Sequence, residues 1–522
     1  MLKKLHGRKL AVCLIGGAMY ALFSAFGWQA EHGGVIWAGG ALLVAALLVW
    51  PIAALLAVLL ERGYTRALRR EKTFHAGRAF AFMLACYVPM FCVAFPGSFA
   101  YDVPYQLRQV VTGAYSTHHP LLHTLALGGL LQLGRALGDI NLGAALYTAL
   151  QMALLAGCFA LTCGSIARQS GARAAKRAAV FFALYPLNMV MAVNATKDVL
   201  FGGFFALTLA LLNEIQEKPS RGLALKIAAC GALAVMLRNN MAYAALVWLA
   251  LLTIGLRKGE KSAALAMLLA LAVGLCGNAA LKRATRAESG DMSEMLSWPI
   301  QQLARARLYD EERLTDAEKE AIDELMPGEA WACYDPTISD PVKFEFDTQA
   351  FRADVKKYVG VWLSVGKKCA GTYLDATMAL TYPFFYPYRE YRVSGYYVQM
   401  GMSDAYDAGW CDFDPPESRS LFPRALASLS WRFGAKGAMQ IPVVGWLFNM
   451  GVIVWTMLFF TLREMYWGRW RRFGTALLPV LLWGTFLLGP VMAGRYIYPF
   501  VCALPVLAAR PGRSVKEAAR HG

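Results

Sequence analysis

Residues that could carry acid–base or anion-binding chemistry gather in one stretch of the sequence, FPGSFAYDVPYQLRQVVTGAYSTHHPLLHT, which covers residues 95–124. The stretch follows an apolar run long enough to cross a bilayer, where ionisable residues are costly and mark functional sites. It contains Asp102, Arg108, His118, His119 and His123. A carboxylate in this position can accept a proton from a hydroxyl group, and the paired histidines can donate hydrogen bonds to a phosphate.

Three other polar corners between apolar runs each add one strong cation. The corners are NATKD (194–198) with Lys197, MLRNN (236–240) with Arg238, and AGRYIYP (493–499) with Arg495 beside Tyr496. Cations on separate corners of one face run against the usual charge bias of membrane proteins, so we expect an anion to compensate them.

The candidates in the first stretch also have a structural interpretation, which the sequence leaves open. Asp102 could cap a short helix, since Pro104 fits a first helical turn and QLRQVV continues with helical character. His118 and His119 could form an interfacial turn that Pro120 closes, because histidine is stable at headgroup depth.

The cationic corners have structural alternatives as well. Lys197 could form an ion pair with Asp198 while Thr196 caps the following helix. Arg238 and Arg495 could be anchors whose charged ends extend to the membrane interface.

The elements that must position these residues are membrane-spanning helices. The 522 residues are 57% hydrophobic and 17% charged, with a mean hydropathy of +0.40, a composition that cannot surround one soluble core. The sequence therefore predicts an all-α polytopic membrane protein. Its first apolar run lacks a small-residue cleavage site, so we expect that run to remain as an uncleaved first span.

Apolar runs of about 17 to 25 residues predict roughly twelve spans with both termini inside the cell. The predicted spans are 10–28, 34–60, 79–97, 142–166, 178–193, 198–215, 222–237, 241–256, 262–280, 441–461, 474–492 and 496–510. The apolar segment 120–137 is interpreted instead as an interfacial or re-entrant helix on the outer face, because a further span would place the basic loop 168–177 outside.

Basic residues set the orientation, since short loops rich in Lys and Arg stay in the cytoplasm. Basic clusters lie at the N-terminus and at 61–78, 168–177, 218–226, 257–261, 463–472 and 510–520. The polar corners described above then face outward. The net charge of +17 follows from this topology and from attraction to anionic membrane lipids, so we expect no nucleic-acid partner.

The apolar runs and basic clusters divide the chain into three predicted parts. Residues 1–280 form an N-terminal transmembrane module whose first large outer loop, 98–141, carries Asp102, and residues 438–522 form C-terminal transmembrane helices with a basic tail. Residues 281–437 form an extracytoplasmic α-rich domain, in which Thr315 and Glu318 predict a capping box.

An aromatic segment, Tyr382 to Tyr397, follows in the extracytoplasmic domain. It could cover a sugar or a lipid, or it could be an interfacial aromatic belt.

The positions of the cysteines and the absence of known motifs limit which kinds of site the sequence can contain. Of the eleven cysteines only Cys333, Cys369 and Cys411 fall in the predicted outer domain, where one disulfide is plausible but its partners are not determined. The sequence has no CxxC or HExxH pattern and no GxxxxGK[ST] phosphate loop, which argues against a zinc site and an ATP-driven pump.

The order of PGSFAYDVPYQ, HPLLHT, NATKD and WPIQQLARA resembles the membrane glycosyltransferases of the GT-C superfamily. The resemblance covers about residues 80–499. It implies a GT-C-like fold with outer-face interfacial helices, a polyprenyl-phosphate sugar donor, an acceptor that is a cell-envelope glycan, lipid or protein, and a bacterial plasma membrane location with an extracytoplasmic site.

By this resemblance Asp102 takes the position of the catalytic acidic residue, and a single inverting displacement follows. The residues expected to bind the donor phosphate and substrate are His118, His119, Lys197, Arg238, Arg495, Tyr496 and Gln106. Family members often have two acidic residues in this loop, whereas Asp102 stands alone between Tyr101 and Val103. We therefore expect no metal and no cofactor, because one carboxylate is a poor metal ligand set.

Two other classes remain open. A secondary transporter would also have about twelve spans, although it should show related halves and broken helices at mid-membrane depth. A lipid-linked polysaccharide ligase or polymerase would share the donor type and the outer face but use another acceptor.

Overall fold

The computed structural model describes residues 7–32, 39–62, 73–100, 102–252, 258–387, 400–403, 415–433 and 443–510, together with Leu5, Val398 and Ile441. Within these ranges the chain is all-helical, and β-structure is limited to isolated bridges between loops. The all-α prediction is therefore confirmed. Cys411 and residues 388–397 of the predicted aromatic segment lie outside the described residues.

Twelve α-helices form the N-terminal part. They are α1 (Arg8–Glu31), α2 (Gly39–Arg62), α3 (Ala76–Ala94), α4 (Val103–Thr112), α5 (Leu121–Ala136), α6 (Ile140–Ser170), α7 (Ala172–Leu184), α8 (Pro186–Ala192), α9 (Lys197–Glu217), α10 (Arg221–Leu237), α11 (Asn239–Leu252) and α12 (Lys258–Thr285).

Six of these helices, α1, α2, α3, α6, α9 and α12, are long and apolar enough to cross a membrane, which identifies a membrane protein. Helix α9 is central, since 89% of its most apolar window is buried, against 17% for α2. The other predicted spans correspond to shorter elements. The predicted span 178–193, for example, consists of α7 and α8, which are separated at Tyr185 because Pro186 disfavours helical backbone at the residue before it.

A second helical unit follows α12 and corresponds to the predicted outer domain. Its α-helices are α13 (Ser297–Tyr309), α14 (Asp316–Leu325), α15 (Asp340–Phe344), α16 (Thr348–Ala353), α17 (Val355–Lys368) and α18 (Ala370–Thr381). They surround a separate core that includes Ile300, Ile322 and Val365. The predicted capping box is confirmed, because the Thr315 side chain accepts from the Glu318 backbone and the Glu318 side chain accepts in return.

The second unit rests on the loop ends of the helix bundle. The indole of Trp298 donates to the carbonyl oxygen of Leu487 at 2.7 Å, and the backbone N–H of Ser339 donates to the carbonyl oxygen of Pro490 at 2.8 Å. The chain between α4 and α5 makes a β-bridge to the same unit at Ser116 and Glu288. These contacts place the second unit on the end of the bundle that also carries Asp102.

The C-terminal part returns to the bundle. Its α-helices are α19 (Pro423–Phe433), α20 (Met450–Tyr466), α21 (Trp470–Leu487) and α22 (Tyr498–Ala508). Short 3-10 segments lie at Met292–Met295, Glu311–Arg313, Pro327–Cys333, Tyr382–Phe384, Val444–Leu447 and Gly494–Ile497. Helix α22 packs on α9, which brings the turn before it next to the start of α9.

Two outer-domain predictions can be compared with the described residues. The aromatic side chains Tyr382, Phe384, Phe385 and Tyr386 are buried in the bundle core, so these four form neither a belt at the membrane surface nor an open cover. Cys333 is exposed and Cys369 is buried, and the two are not joined to each other.

Candidate active site

Two loops that carry site residues are joined directly by backbone hydrogen bonds. The N–H of Ser98 donates to the carbonyl oxygen of Val193 at 2.8 Å, and the N–H of Ala195 donates to the carbonyl oxygen of Ser98 at 2.8 Å. Gly97 permits this path, because its φ is +145° and a Cβ there would lie 2.2 Å from the hydroxyl oxygen of Thr148. The loop before Asp102 is therefore fixed to the loop before Lys197.

Asp102 occupies the N-cap position of α4, but its side chain makes no capping hydrogen bond. Pro104 stands in the first turn, as the sequence predicts, and Gly113 ends the helix with a φ of +72°. The carboxylate is thus not occupied by the helix that it precedes, and the capping role considered for Asp102 is absent.

The Asp102 carboxylate instead faces two cations from distant parts of the chain. Its Oδ2 lies 3.0 Å from Lys197 Nζ and 3.1 Å from Arg495 Nη1, while its Oδ1 lies 3.3 Å from Arg495 Nη2. Burial alone would raise the pKa of this carboxyl, but Arg495 and Lys197 outweigh burial and hold the pKa well below its usual range. Asp102 is therefore ionised and firmly paired.

His119 adds a neutral group to this cluster. Its Nδ1 lies 3.7 Å from Asp102 Oδ2 and 3.4 Å from Lys197 Nζ. Burial, together with the charge of Lys197, lowers the pKa of His119 to about 3. His118 points away, since its side chain is 45% exposed and lies 3.9 Å from Glu294. The structure thus brings only the second histidine of the predicted pair to Asp102.

A second carboxylate, Asp198, lies beside the first and is fully buried. It forms an ion pair with Arg238, its Oδ2 lies 3.9 Å from Arg495 Nε, and the Thr196 hydroxyl donates to it at 3.3 Å. Lys197 and Asp198 do not pair with each other, because consecutive helical residues point in different directions. Arg495 consequently connects the two carboxylates.

Arg238 is enclosed by aromatic rings rather than extended toward the membrane surface. Its guanidinium carbon lies 4.5 Å from the ring centre of Phe486 and 4.6 Å from that of Tyr496. The guanidinium carbon of Arg495 lies 5.2 Å from the same Tyr496 ring. Cation–π contacts of this kind hold both arginines inside the protein, which does not fit the anchor interpretation.

Gln106 was predicted to bind substrate, but its side chain lies in the core behind the charged cluster. It is buried, and its Nε2 donates to the Thr124 hydroxyl at 3.0 Å and contacts His123 Nδ1 at 3.0 Å. Burial lowers the pKa of His123 to about 3, so this ring is neutral as well. Gln106 therefore supports the packing of α4 on α5.

The network continues from His123 toward the Lys197 loop. The hydroxyl of Tyr147 lies 2.8 Å from His123 Nε2 and donates to Gln151 Oε1 at 3.0 Å. Gln151 Nε2 then donates to the carbonyl oxygens of Ala192 and Asn194, at 3.0 and 2.9 Å. This buried chain of hydrogen bonds fixes the backbone that leads into Lys197.

The cluster therefore contains six of the predicted site residues, and it adds one that the sequence analysis considered only as a structural partner of Lys197. The predicted members are Asp102, His119, Lys197, Arg238, Arg495 and Tyr496, and the added member is Asp198. Cations outnumber carboxylates, so the cluster favours an anion and would repel a metal ion. The described residues contain no group of three or more acidic, His or Cys side chains that could hold a metal.

The chain belongs to a family that is described as "Family of unknown function (DUF6020)", whose model matches residues 105–521. The matched range begins just after Asp102 and includes Lys197, Asp198, Arg238 and Arg495. No curated protein and no solved structure matches the chain.

Proposed function

We propose that this family member is a GT-C-like integral-membrane glycosyltransferase, which moves a sugar from a polyprenyl-phosphate donor to a cell-envelope acceptor. The observation that carries the proposal is the Asp102 carboxylate held between Lys197 Nζ and the Arg495 guanidinium. A proton acceptor and a phosphate-binding pair thereby lie in one cluster, and sugar transfer from a phosphate uses both kinds of group.

The phosphate part of the proposal rests on the excess of cations. Arg495 presents a planar guanidinium that can bind two phosphate oxygens, and Lys197 supplies a point charge beside it. When the sugar leaves, negative charge grows on the phosphate, and fixed cations stabilise that charge most effectively in a buried site. Arg238, held by Asp198, keeps Arg495 and Tyr496 in position.

The position of the cluster suits a lipid-linked donor. Asp102 follows α3 and Lys197 begins α9, so the cluster lies where two membrane-crossing helices end. The phosphate of a polyprenyl donor lies at the same level, since its apolar chain stays in the bilayer. An extracytoplasmic location agrees with the distribution of basic loops.

Asp102 is the proposed general base. Its ion pairs with Lys197 and Arg495 suggest how donor binding raises its basicity. In the free protein Lys197 and Arg495 lower the pKa of Asp102, which makes it a weak proton acceptor. A donor phosphate competes for the same two cations. As the cations turn toward the phosphate, the pKa of Asp102 rises toward its ordinary value and the carboxylate gains basicity. Donor binding then prepares the base.

The transfer is a single displacement at the anomeric carbon. The acceptor oxygen forms a bond to this carbon while the carbon–oxygen bond to the phosphate breaks, and the electron pair leaves with the phosphate. The hydroxyl proton passes to Asp102, which later releases it to water. The configuration at the anomeric carbon is inverted.

The test is transfer by the purified protein from radiolabelled polyprenyl-phosphate sugars to envelope fractions. Wild type should label an acceptor, and a Lys197→Gln variant should lose at least tenfold of the rate at low donor. A parallel assay with a lipid-linked polymer distinguishes a ligase or polymerase. Absence of transfer from every polyprenyl-phosphate donor, with a folded wild-type protein, would overturn the proposal.

A further inference from the structure

One ring nitrogen beside the Asp102 carboxylate is available to a ligand. His119 Nδ1 lies 3.4 Å from Lys197 Nζ, and an ammonium group can only donate, so the ring proton of this neutral histidine is on Nε2. Among the described residues nothing accepts a hydrogen bond from Nε2, although the His119 side chain is only 7% exposed. This nitrogen is not fully enclosed by protein, so a ligand can reach it. Such a donor indicates a molecule bound next to Asp102.

A line of polar side chains runs from His119 to the second helical unit. The rings of His119 and His118 meet edge to face with their centres 4.5 Å apart, and His118 Nδ1 lies 3.9 Å from Glu294 Oε1. Lys343 Nζ lies 2.8 Å from the same Glu294 oxygen and 2.6 Å from Asp340 Oδ1. We call these five residues the junction strip, because they connect the candidate active site to the second unit.

Most of the junction strip is open to solvent. The side chains of His118, Glu294 and Asp340 are 45%, 30% and 27% exposed, whereas that of Lys343 is 4% exposed. The buried ammonium pairs with both carboxylates and holds them in fixed positions. Their remaining oxygens can therefore accept hydrogen bonds from a ligand with little further loss of side-chain freedom.

Backbone contacts between the two units hold the strip together. The N–H of Thr117 donates to the carbonyl oxygen of Glu288 at 2.9 Å, and the N–H of Gly290 donates to the Thr117 hydroxyl oxygen at 3.0 Å. A Cβ at Gly290 would lie 3.2 Å from the His118 Cα, so a residue without a side chain suits this close approach. His118 and Glu294 are thus fixed relative to each other.

The far end of the strip carries an aromatic ring and a negative charge. Phe344 is 74% exposed, and its ring centre lies 5.2 Å from Lys343 Nζ. Two carboxylates and one ammonium leave the strip with an excess of negative charge, which disfavours phosphate. Carboxylate oxygens accept hydrogen bonds from hydroxyl groups, and an exposed aromatic face packs against the apolar C–H face of a sugar ring. This combination fits a neutral molecule that is rich in hydroxyl groups.

We propose that the junction strip binds the acceptor, as a neutral and hydroxyl-rich glycan chain whose reactive hydroxyl lies at Asp102. This inference rests on the proposed function. In that function the donor phosphate occupies Lys197 and Arg495, and the core around Gln106 fills the space behind the cluster. The acceptor therefore approaches Asp102 from the side of the second unit.

Each part of the strip has a place in this complex. A glycan oxygen next to the reactive hydroxyl accepts from His119 Nε2. Hydroxyl groups further along the chain donate to Glu294 and Asp340, and one sugar ring packs on Phe344. The donor phosphate is excluded from the strip by its carboxylates, so the donor and the acceptor bind on different sides of Asp102.

The first measurement identifies the chemical class of the acceptor. The purified full chain is supplied with a polyprenyl-phosphate sugar that wild type uses, and with a cell-envelope fraction as the acceptor. Treating the fraction beforehand with periodate, which cleaves vicinal diols, should remove most of its capacity to accept sugar. Acceptor capacity that survives periodate would overturn the proposal, and protease digestion would then distinguish a protein acceptor from a lipid.

The second measurement tests the strip itself by steady-state kinetics. Glu294→Gln should fold, because Lys343 keeps its pair with Asp340, and Phe344→Ala removes only an exposed ring. The KM for the envelope acceptor should rise about tenfold in Glu294→Gln and about three- to tenfold in Phe344→Ala. The KM for the donor should stay at the wild-type value in both variants.

Glu312→Gln and Tyr309→Ala are the matched controls, since both positions are exposed on the second unit and lie outside the strip. Both should keep the wild-type KM for the acceptor. If wild type transfers no sugar at all, the proposed function fails. If wild type transfers sugar but Glu294→Gln and Phe344→Ala keep its acceptor KM, the acceptor site alone is overturned. Phe344→Ala decides by itself if Glu294→Gln does not fold.

Discussion

Arg495 holds both carboxylate oxygens of Asp102, with Nη1 at 3.1 Å from Oδ2 and Nη2 at 3.3 Å from Oδ1. The two residues are 393 positions apart in the sequence, so this contact joins the N-terminal part of the chain to its C-terminal part. A two-point contact fixes the orientation of the carboxylate as well as its position. In the free protein the carboxylate is therefore held in one orientation.

The first prediction concerns this two-point contact. An Arg495→Lys variant keeps the charge but cannot bind two oxygens of a phosphate in one plane. We expect the KM for the polyprenyl-phosphate donor to rise roughly tenfold, the effect of losing one charge-assisted hydrogen bond. Steady-state kinetics with varied donor measure it. Arg419→Lys is the control, since Arg419 pairs with Asp139 on the surface, and an equal KM in both variants contradicts the phosphate role.

The second prediction is a pH dependence of stability. His119 and His123 have pKa values of about 3 in the folded protein, below the ordinary 6.5. As the pH falls from 6.5 toward 3, only the unfolded chain gains these protons, so the free energy of unfolding decreases by about 1.4 kcal/mol per pH unit for each histidine. His123→Gln should reduce this slope by about that amount between pH 6 and 4.5. An unchanged slope would show that His123 is protonated in the folded state.

The third prediction concerns the network behind the site. Tyr147→Phe removes the hydroxyl that joins His123 to Gln151, and it leaves two buried polar atoms without that partner. Stability should decrease by about 1 to 3 kcal/mol, and transfer should slow because the backbone before Lys197 is less firmly held. Tyr466→Phe is the control: it loses a hydrogen bond to Glu61 at another part of the bundle and should leave transfer unchanged. Equal transfer rates in the two variants argue against a positioning role.

The fourth prediction tests the orientation of the membrane helices. A cysteine at Ala114 should react with a membrane-impermeant thiol reagent added outside intact cells, and a cysteine at Lys218 should react only after the membrane is opened. Both positions are exposed, so access depends on the side of the membrane. The experiment requires serine at Cys276, Cys333 and Cys411. The reverse labelling pattern would place the Asp102 cluster in the cytoplasm.

Local patterns in the sequence predicted local structure well. The apolar segment 120–137 forms the helix Leu121–Ala136, and Pro104 lies in the first turn of the helix Val103–Thr112. Thr315 caps its helix as expected. These features depend on residues within one or two turns of each other, which a pattern can reveal. The count of twelve spans depends on exact helix lengths, and it stays a prediction, since only six described helices meet the length and hydropathy of a span.

The sequence did not predict which side chains from distant loops pair with each other. The sequence suggested an ion pair between Lys197 and Asp198 because the two are adjacent, but adjacent helical residues diverge, and each carboxylate is paired with a cation from another loop. Because adjacent helical side chains point in different directions, the sequence alone could have indicated that Asp198 pairs with a cation from another loop. The hydrogen bonds from His123 through Tyr147 to Gln151 join three elements, and no local pattern indicates them.

We expect Asp102 to accept the proton of the acceptor hydroxyl after the donor phosphate has bound Lys197 and Arg495. Asp102→Asn tests this directly, because asparagine has the same shape but cannot serve as the base. The Asp102 side chain makes no capping bond, so the start of α4 is unaffected. The change replaces one acceptor oxygen by an NH2 group that faces Lys197 and Arg495, and stability should decrease by about 3 kcal/mol. Without the competing carboxylate, donor binding should be as tight as in wild type or tighter.

The decisive measurement is therefore donor affinity and single-turnover transfer rate, both determined on the same preparation of Asp102→Asn. We expect retained or stronger donor binding together with a transfer rate lower by about 10²- to 10⁴-fold, the usual contribution of a general base. A variant that binds donor and transfers sugar at close to the wild-type rate would contradict it, and Asp102 would then be a structural partner of Lys197 and Arg495.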